Sequence, residues 1–176
     1  MELWDVYDEH RNLTGRTCAR GDALAEGDYH LVVDVWIKNA EGKYLISKRT
    51  PNKSFGGLWE NTSGAVLAGE DSLTGALREA KEELGVELDP LHGARIRMWQ
   101  FLDAFLDVWL FRAEVDIDDV VLQEGETCCA KWATIDEMYA MLDAGTFVPF
   151  KRGGVDLVRD VGGDWEGEAL GTVGHL

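Results

Sequence analysis

GAVLAGEDSLTGALREAKEELGV, residues Gly64–Val86, joins a glycine-containing loop to an amphipathic helix. The helix is predicted to begin at Asp71 or Ser72, where a side-chain oxygen can cap it, and to end before Gly85, which suits the left-handed position after a helix. Apolar residues at helical spacing form one stripe for burial: Leu73, Ala76, Leu77, Ala80 and Leu84. We therefore expect a loop that leads into a helix packed on a core.

Three carboxylates share a second face of this helix. Glu79, Glu82 and Glu83 stand three and four residues apart, and like charges at that spacing repel by roughly 0.2–0.5 kcal/mol per pair. Glu82 and Glu83 also lie in the last turn, where the helix dipole disfavours anions. One interpretation is a solvated face on which Arg78 pairs with Glu82 and Lys81 screens the others. The other is a site for a bound cation.

The surroundings of the carboxylates favour the cation. Gly64 and Glu70 precede the helix, and Arg78 lies directly beside Glu79. Oxygen ligands suit hard cations, and Mg²⁺ is typically held by one or two carboxylates together with waters and substrate phosphates. The residues therefore predict a divalent-metal site for a phosphate-bearing substrate.

The stretch resembles the Nudix box, G-x5-E-x7-R-E-U-x-E-E-x-G-U, in which U is an apolar residue. Nine positions fall in register: Gly64, Glu70, Arg78, Glu79, Ala80, Glu82, Glu83, Gly85 and Val86. Ala80 is a small residue for an apolar position and is a mild departure. The box covers only residues 64–86, and a weaker similarity to the family extends over roughly residues 3–145. The resemblance implies an α/β fold of the α+β type, a mixed β-sheet sandwiched between helices.

The resemblance also implies a reaction and a set of roles. The expected activity is hydrolysis of a nucleoside diphosphate linked to a moiety X, with Mg²⁺ as cofactor or Mn²⁺ in its place. Gly64, through its carbonyl, would hold the metal with Glu82 and Glu83. Glu79 would ligate the metal or act as general base, and Arg78 would orient Glu79 by a charge-assisted hydrogen bond.

Other site residues follow from the same resemblance. Glu70 is expected to tie the loop to the helix, and Gly85 to end the helix. Family members often supply one more metal-binding or basic carboxylate from the loop before the last strand. Glu126 is our candidate for it because of its distance from Trp132, with Glu124 as the alternative.

A basic cluster precedes the box in an otherwise acidic chain. Lys48 and Arg49 stand at a predicted strand end, where we expect contact with substrate phosphate or with the site carboxylates. For Lys53, a solvated position in the loop is as well supported as a contact with the site. Asp34 is alone in an apolar run and should face outward or meet a basic partner. Trp59 is interpreted as a packing residue under the loop rather than a stacking platform for a base.

Composition limits the class of protein. A chain of 176 residues with 45% hydrophobic content fits one core. No apolar run approaches the ~18 residues of a membrane helix, and the first residues, MELWDVYDEH, lack a secretory signal, so we expect a cytoplasmic protein. The formal charge of −16 argues against a nucleic-acid partner, because that binding rests on Lys and Arg. Cys18, Cys128 and Cys129 have neither zinc nor disulfide spacing.

The chain divides into three predicted parts. Residues 1–28 form an N-terminal β-hairpin extension, residues 29–150 the Nudix hydrolase domain, and residues 151–176 a Gly-rich tail in which a short helix is expected near 155–161. Strands are predicted at 29–38, 44–48, 95–101, 104–114 and 129–133, with a helix at 136–144. Residues 54–64 read as a loop.

Two other functions remain open from the sequence. The N-terminal segment resembles that of isopentenyl diphosphate isomerase-related Nudix proteins, and His30 resembles one of the isomerase's metal-binding histidines. Gly64 and Val66, however, stand where the isomerase's catalytic cysteine and second metal histidine are expected. A module that binds a nucleotide without cleaving it is the third function, although such modules usually lack box glutamates that are intact here. The substrate is a small-molecule diphosphate with X unidentified, and a homodimer is the default expectation.

Overall fold

The computed structural model describes residues 2–162, which contain nine strands and three helices. The strands are β1 (Leu3–Tyr7), β2 (Leu13–Ala19), β3 (His30–Lys38), β4 (Tyr44–Arg49), β5 (Trp59–Glu60), β6 (Thr62–Ala65), β7 (Gly93–Phe101), β8 (Ala104–Arg112) and β9 (Thr127–Ala133). The helices are α1 (Ser72–Leu84), α2 (Ile135–Asp143) and α3 (Arg152–Gly162). The tail that we predict beyond Gly162 lies outside the described residues. None of the helices within 2–162 is long and apolar enough to span a membrane.

Strands β3 to β9 form one mixed sheet. Its main order is β5-β4-β3-β8-β7, with β6 beside β3 and β9 beside β4. Only the β3–β8 pair is parallel among these strand pairs; the others are antiparallel. The predicted mixed sheet is thus confirmed.

The sheet is covered by helices on both faces, because successive side chains of a strand point to opposite sides. Val33 and Val35 of β3 join a core cluster with Ala76 and Ala80 of α1. Trp36, which follows Val35 and therefore points to the other side of the sheet, joins a second cluster that includes residues of α2 and α3. The predicted sandwich of a sheet between helices is confirmed.

Helix α1 has the ends that the sequence predicts. The side chain of Asp71 accepts a hydrogen bond from the Thr74 amide at 2.7 Å, which caps the first turn. Gly85 ends the helix with φ at 68°, and its amide donates to the carbonyls of Ala80 and Lys81. Both ends are therefore fixed by local hydrogen bonds.

Strands β1 and β2 form the predicted N-terminal hairpin, which is attached to the box loop. The Ala68 amide donates to the carbonyl of Leu3 at 2.8 Å, and the Gly69 amide donates to a carboxylate oxygen of Asp5 at 2.7 Å. At the hairpin turn, Arg11 makes a bidentate ion pair with Asp107, which is fully buried in β8. The hairpin thus holds the loop that precedes α1.

The charge of Asp107 is stabilised by that ion pair. Burial opposes ionisation, but hydrogen bonds from Arg11 and Ser72 and the nearby Arg95 outweigh it and lower the pKa of Asp107. Since a buried charge is costly without a partner, the hairpin turn and the sheet depend on each other.

The structure differs from the sequence prediction in two places. The predicted loop 54–64 contains β5 and the first three residues of β6, and β6 is ordered by four residue pairs with β3. Helix α3 confirms the short helix near 155–161 but begins earlier, and Val155 and Val158 are fully buried. The first part of the Gly-rich segment is therefore part of the core.

Candidate active site

The guanidinium of Arg78 lies at the centre of the box residues. It donates to Glu70 at 2.9 Å, to Oε1 of Glu79 at 2.7 Å and to Glu82 at 3.0 Å. A further bond of 2.8 Å reaches the carbonyl of Ala65. The side chain is only 18% exposed, so one half-buried cation joins the loop, the strand β6 and two carboxylates of α1.

Glu70 links the loop to the helix from the other side. One of its oxygens accepts from the Leu67 amide at 3.0 Å within the loop, and both accept from Arg78. The carboxylate therefore closes the turn that leads into α1 and positions the guanidinium.

Gly64 leaves space for the carboxylate of Glu79. A Cβ atom on Gly64 would overlap the Cδ and both oxygens of that carboxylate. Gly64 pairs with Val33 in the sheet, and both face the α1 side. Strand β6 thus brings the Gly64 backbone against Glu79.

Glu83 is a half-buried carboxylate of the helix face. Burial, together with the charges of Glu79 and Glu60, raises the pKa of Glu83 to about 8. Its Oε2 atom is buried and has no hydrogen-bond partner within residues 2–162. A buried acceptor of this kind costs free energy unless a cation or donor reaches it.

The pKa of Glu79 is also raised. Burial raises its pKa, Arg78 opposes the rise, and the charge of Glu82 adds to it. Two neighbouring carboxylates whose charged forms are disfavoured fit a divalent cation, which would favour both in the ionised state.

The carboxylates do not form a complete cage on their own. Across residues 2–162, no three acidic, histidine or cysteine side chains are gathered as a ready-made metal site. Arg78 holds Glu70, Glu79 and Glu82. Mg²⁺ seldom needs a full protein cage, because it keeps several waters and takes ligands from substrate phosphates.

The two basic residues before the box have different partners. Arg49 forms an ion pair with the buried Glu60, one of the carboxylates that act on Glu83. Lys48 lies over the ring of Trp59, 5.8 Å from its centroid, and Lys131 lies over the same ring at 4.7 Å. Arg49 therefore contacts a carboxylate of the site, and Lys48 contacts an aromatic ring.

Glu126 belongs to a loop attached to the end of α1 but does not join the cluster. The Glu83 carbonyl accepts from the Gln123 amide and the Thr127 hydroxyl, both at 3.2 Å. The Glu126 carboxylate pairs with Lys53, and Glu124 is exposed. A metal-binding role for Glu126 stays a prediction and requires release from Lys53.

Two residues, Glu60 and Lys151, are missing from the sequence-based prediction. Glu60 is 5% exposed and acts on Glu83, but it lies in a segment that we interpreted as a loop. Asp34 does meet a basic partner, which is Lys151. A lone acidic residue in an apolar run was the available signal for Asp34, whereas nothing in the sequence identified Lys151.

His30 lies against the N-terminal hairpin. Its ring stacks on Trp4 with centroids 4.4 Å apart and an angle of 17° between planes. Burial lowers the pKa of His30 against the opposing effect of Asp103. In this structure the histidine is a stacking residue.

Comparisons with known proteins agree on one family. A model of the NUDIX domain matches residues 28–153. An uncharacterized Nudix hydrolase of Listeria monocytogenes is 39% identical over 153 residues, which cover 85% of this chain and 90% of that relative. A crystal structure of a Deinococcus radiodurans protein has a TM-score of 0.72 at 27% identity. The match covers 90% of this chain and 98% of that protein's chain.

A more distant structure shares the fold alone. The NUDIX domain of Shewanella oneidensis NrtR, crystallised with ADP ribose, has a TM-score of 0.60 at 16% identity. The match covers 74% of this chain and 86% of that one.

Proposed function

The chain belongs to the Nudix hydrolase family, and on that basis we propose that it is a Mg²⁺-dependent pyrophosphohydrolase that cleaves the diphosphate linkage of a nucleoside diphosphate joined to a moiety X. The observation that carries the proposal is the buried oxygen of Glu83, which lies beside Glu79 and Glu60 and has no hydrogen-bond partner in the described part of the chain. The solved relative with bound ADP ribose adds an example of a nucleoside diphosphate ligand on this fold.

The donor set fits a hard dication. Glu82 and Glu83, with the carbonyl of Gly64, would hold Mg²⁺, and Glu126 is a further candidate once it leaves Lys53. Bound Mg²⁺ would neutralise the phosphate oxygens and make a bound water more acidic. Mn²⁺ takes similar oxygen ligands and would substitute.

The residues of the chain then have distinct tasks. Arg78 binds Oε1 of Glu79 and fixes the direction of that carboxylate, which leaves Oε2 to ligate the metal or to accept the proton of the attacking water. A raised pKa suits a general base, since it brings proton affinity closer to the working pH. Arg49 holds Glu60 and keeps this carboxylate beside the site.

The proposal is tested by a substrate panel. Nucleoside diphosphates and triphosphates, nucleotide sugars, dinucleoside polyphosphates and isopentenyl diphosphate are each incubated with Mg²⁺, with Mn²⁺ and with a chelator. Release of phosphate or nucleoside monophosphate that requires the metal is the expected result and identifies X. Tight binding without turnover across the panel would instead indicate a non-catalytic module, and isomerisation of isopentenyl diphosphate would indicate the isomerase-like function. The Listeria monocytogenes relative is named a Nudix hydrolase, which favours cleavage.

A matched pair of variants tests the metal ligands. Glu82→Gln removes a proposed ligand whose side chain is 48% exposed, so the fold should be retained while Mg²⁺-dependent turnover is lost. Glu87→Gln changes an exposed glutamate just after the helix that pairs with Lys81, and it should keep full activity. Equal activity of the two variants would refute the assignment of Glu82.

A further inference from the structure

The two adjacent cysteines of β9 lie at a β-bulge. Strand β9 pairs with β4, and the register places Cys129 opposite Lys48 but Thr127 opposite Arg49. Cys128 is therefore the extra residue of the bulge. Because a bulge interrupts the alternation of side chains between the two faces of a sheet, the two cysteine side chains are not required to point to opposite sides.

The two thiols lie side by side at the surface. Both cysteines are exposed. Loss of solvation, and then the hydrogen bond and charge of Cys129, raise the pKa of the Cys128 thiol, so the two sulfur atoms are within interaction distance. The Cys128 thiol also donates to the carbonyl oxygen of Arg49 at 3.8 Å. A reagent in solvent can therefore reach both sulfur atoms.

Two thiols without further ligands restrict the kind of centre that can bind. Across residues 2–162, no three or more acidic, histidine or cysteine side chains are gathered to hold a metal ion. Structural zinc takes four protein ligands and does not match this pair. Thiolates select soft centres, and trivalent arsenic is a soft, pyramidal centre that bonds two neighbouring sulfur atoms while it keeps a third substituent of its own.

The cysteine pair adjoins the candidate active site. Thr127 directly precedes Cys128, and its hydroxyl donates to the carbonyl of Glu83 at 3.2 Å. Arg49, whose carbonyl accepts from the Cys128 thiol, forms the ion pair with Glu60. Two contacts thus connect the bulge to residues that carry carboxylates of the site.

We propose that Cys128 and Cys129 form a dithiol site for trivalent organic arsenic compounds, and that occupancy of this site weakens the hydrogen bond between Thr127 and Glu83. With an arsine oxide, two As–S bonds form, the As=O bond breaks, and the oxygen leaves as water with both thiol protons. Arsenic stays trivalent, so no oxidant or reductant is needed. Arsenic replaces the proton that Cys128 donates to the Arg49 carbonyl, so the bulge loses that contact and the neighbouring Thr127 shifts.

Phenylarsine oxide tests the site directly. The full chain, freshly reduced and freed from reductant, is titrated with this compound and followed by intact mass and by counting free thiols. One phenylarsenic group should be added per chain with the loss of two free thiols, and dimercaptopropanol, a competing dithiol, should remove it. The absence of an adduct, or an adduct that consumes Cys18, would overturn the proposal.

Single variants separate the pair from isolated thiols. Cys128→Ser and Cys129→Ser each leave one thiol of the pair and should bind phenylarsine oxide roughly 100-fold or more weakly, because the second bond is then no longer intramolecular. Cys18→Ser is the matched control, since Cys18 lies in β2 of the N-terminal hairpin, and it should leave the affinity unchanged. Parent-like affinity in either variant of the pair would refute the dithiol site.

A double variant tests the bulge itself. Cys128→Ser with Ala130→Cys keeps two adjacent cysteines but places them at positions 129 and 130, where Ala130 pairs with Ser47 in regular register and neighbouring side chains point to opposite faces. It should bind as weakly as the single variants, with its fold verified by thermal unfolding. If it instead matches the parent protein, adjacency in sequence rather than the bulge controls binding, and the structural inference is wrong.

Amide hydrogen exchange tests the connection to the candidate active site without any measurement of hydrolysis. The Gln123 amide donates to the same Glu83 carbonyl as the Thr127 hydroxyl. Its exchange should be roughly fivefold faster in the arsenic adduct, the effect of weakening one hydrogen bond. Cys129→Ser treated with the same reagent is the control and should keep the parent rate. Unchanged exchange of this amide in the adduct would refute the connection.

Discussion

Gly64→Ala is the smallest change that should separate chemistry from folding. The added Cβ would overlap the Cδ and both oxygens of Glu79. Because ordinary contacts of this kind lie near 3.5–4.0 Å, the carboxylate must withdraw by roughly 1 Å or more. The Arg78 bond to Oε1 of Glu79, 2.7 Å long, would be stretched or redirected.

The expected loss is large for activity and small for stability. Misplacing a catalytic group by ~1 Å can reduce the rate about 100-fold. Overpacking usually costs about 1–3 kcal/mol, and the lower end applies because the group that must move is a side chain. For a chain of this size each kcal/mol lowers the melting temperature by roughly 2–4 °C.

Steady-state hydrolysis and thermal unfolding check both quantities, and a double-mutant cycle with Glu79→Ala checks the cause. If the methyl group acts by displacing Glu79, then Gly64→Ala should cost almost no stability once that side chain is absent. Activity within about threefold of the parent protein, far from the expected loss, would refute the reasoning. The reasoning would also be refuted if Gly64→Ala lowered stability equally in the parent protein and in the Glu79→Ala variant.

Three further outcomes follow from the buried charges. Mg²⁺ at about ten times its Kd should stabilise the protein by about 1.4 kcal/mol and raise its melting temperature by roughly 3–6 °C. Glu83→Gln should abolish most of this shift in melting temperature. An equal shift in the variant and the parent protein would contradict the metal site. Arg11→Ala should lower the free energy of unfolding, measured in urea, by roughly 3 kcal/mol, because it leaves Asp107 with only its weaker partners. A decrease as small as that caused by removing a surface ion pair would contradict this prediction. Since the pKa of Asp107 is lowered in the folded protein, its contribution is present above about pH 4 and lost as the pH falls through the lowered value. Unfolding curves of Asp107→Asn should therefore depend less on pH in acid, and an unchanged acid dependence would argue against this assignment.

Local signals account for the parts that the sequence predicted well. Helix α1 follows from a cap at Asp71, a stop at Gly85 and an apolar stripe between them, and each of these acts within a few residues. The strand β3 follows from a long apolar run. The box residues come together because a single helix and its preceding loop supply all of them.

Long-range pairing accounts for what was missed. Strand β6 is only four residues long and contains Gly64, a residue type that is depleted in strands, and it is ordered by pairing with β3. Glu60 reaches the site through that same segment. Lys151 meets Asp34 across 117 residues of chain, and no pattern in one sequence reveals such a contact.

Arg78 has a consequence for how the protein is made. A guanidinium built into α1 already balances Glu70, Glu79 and Glu82, so the nascent chain can reach its final shape whatever the magnesium level at the time of synthesis. The proposed Mg²⁺ ion would then be an exchangeable reagent rather than a structural component. A preparation stripped with chelator should regain its full properties on simple addition of the salt, with no refolding step.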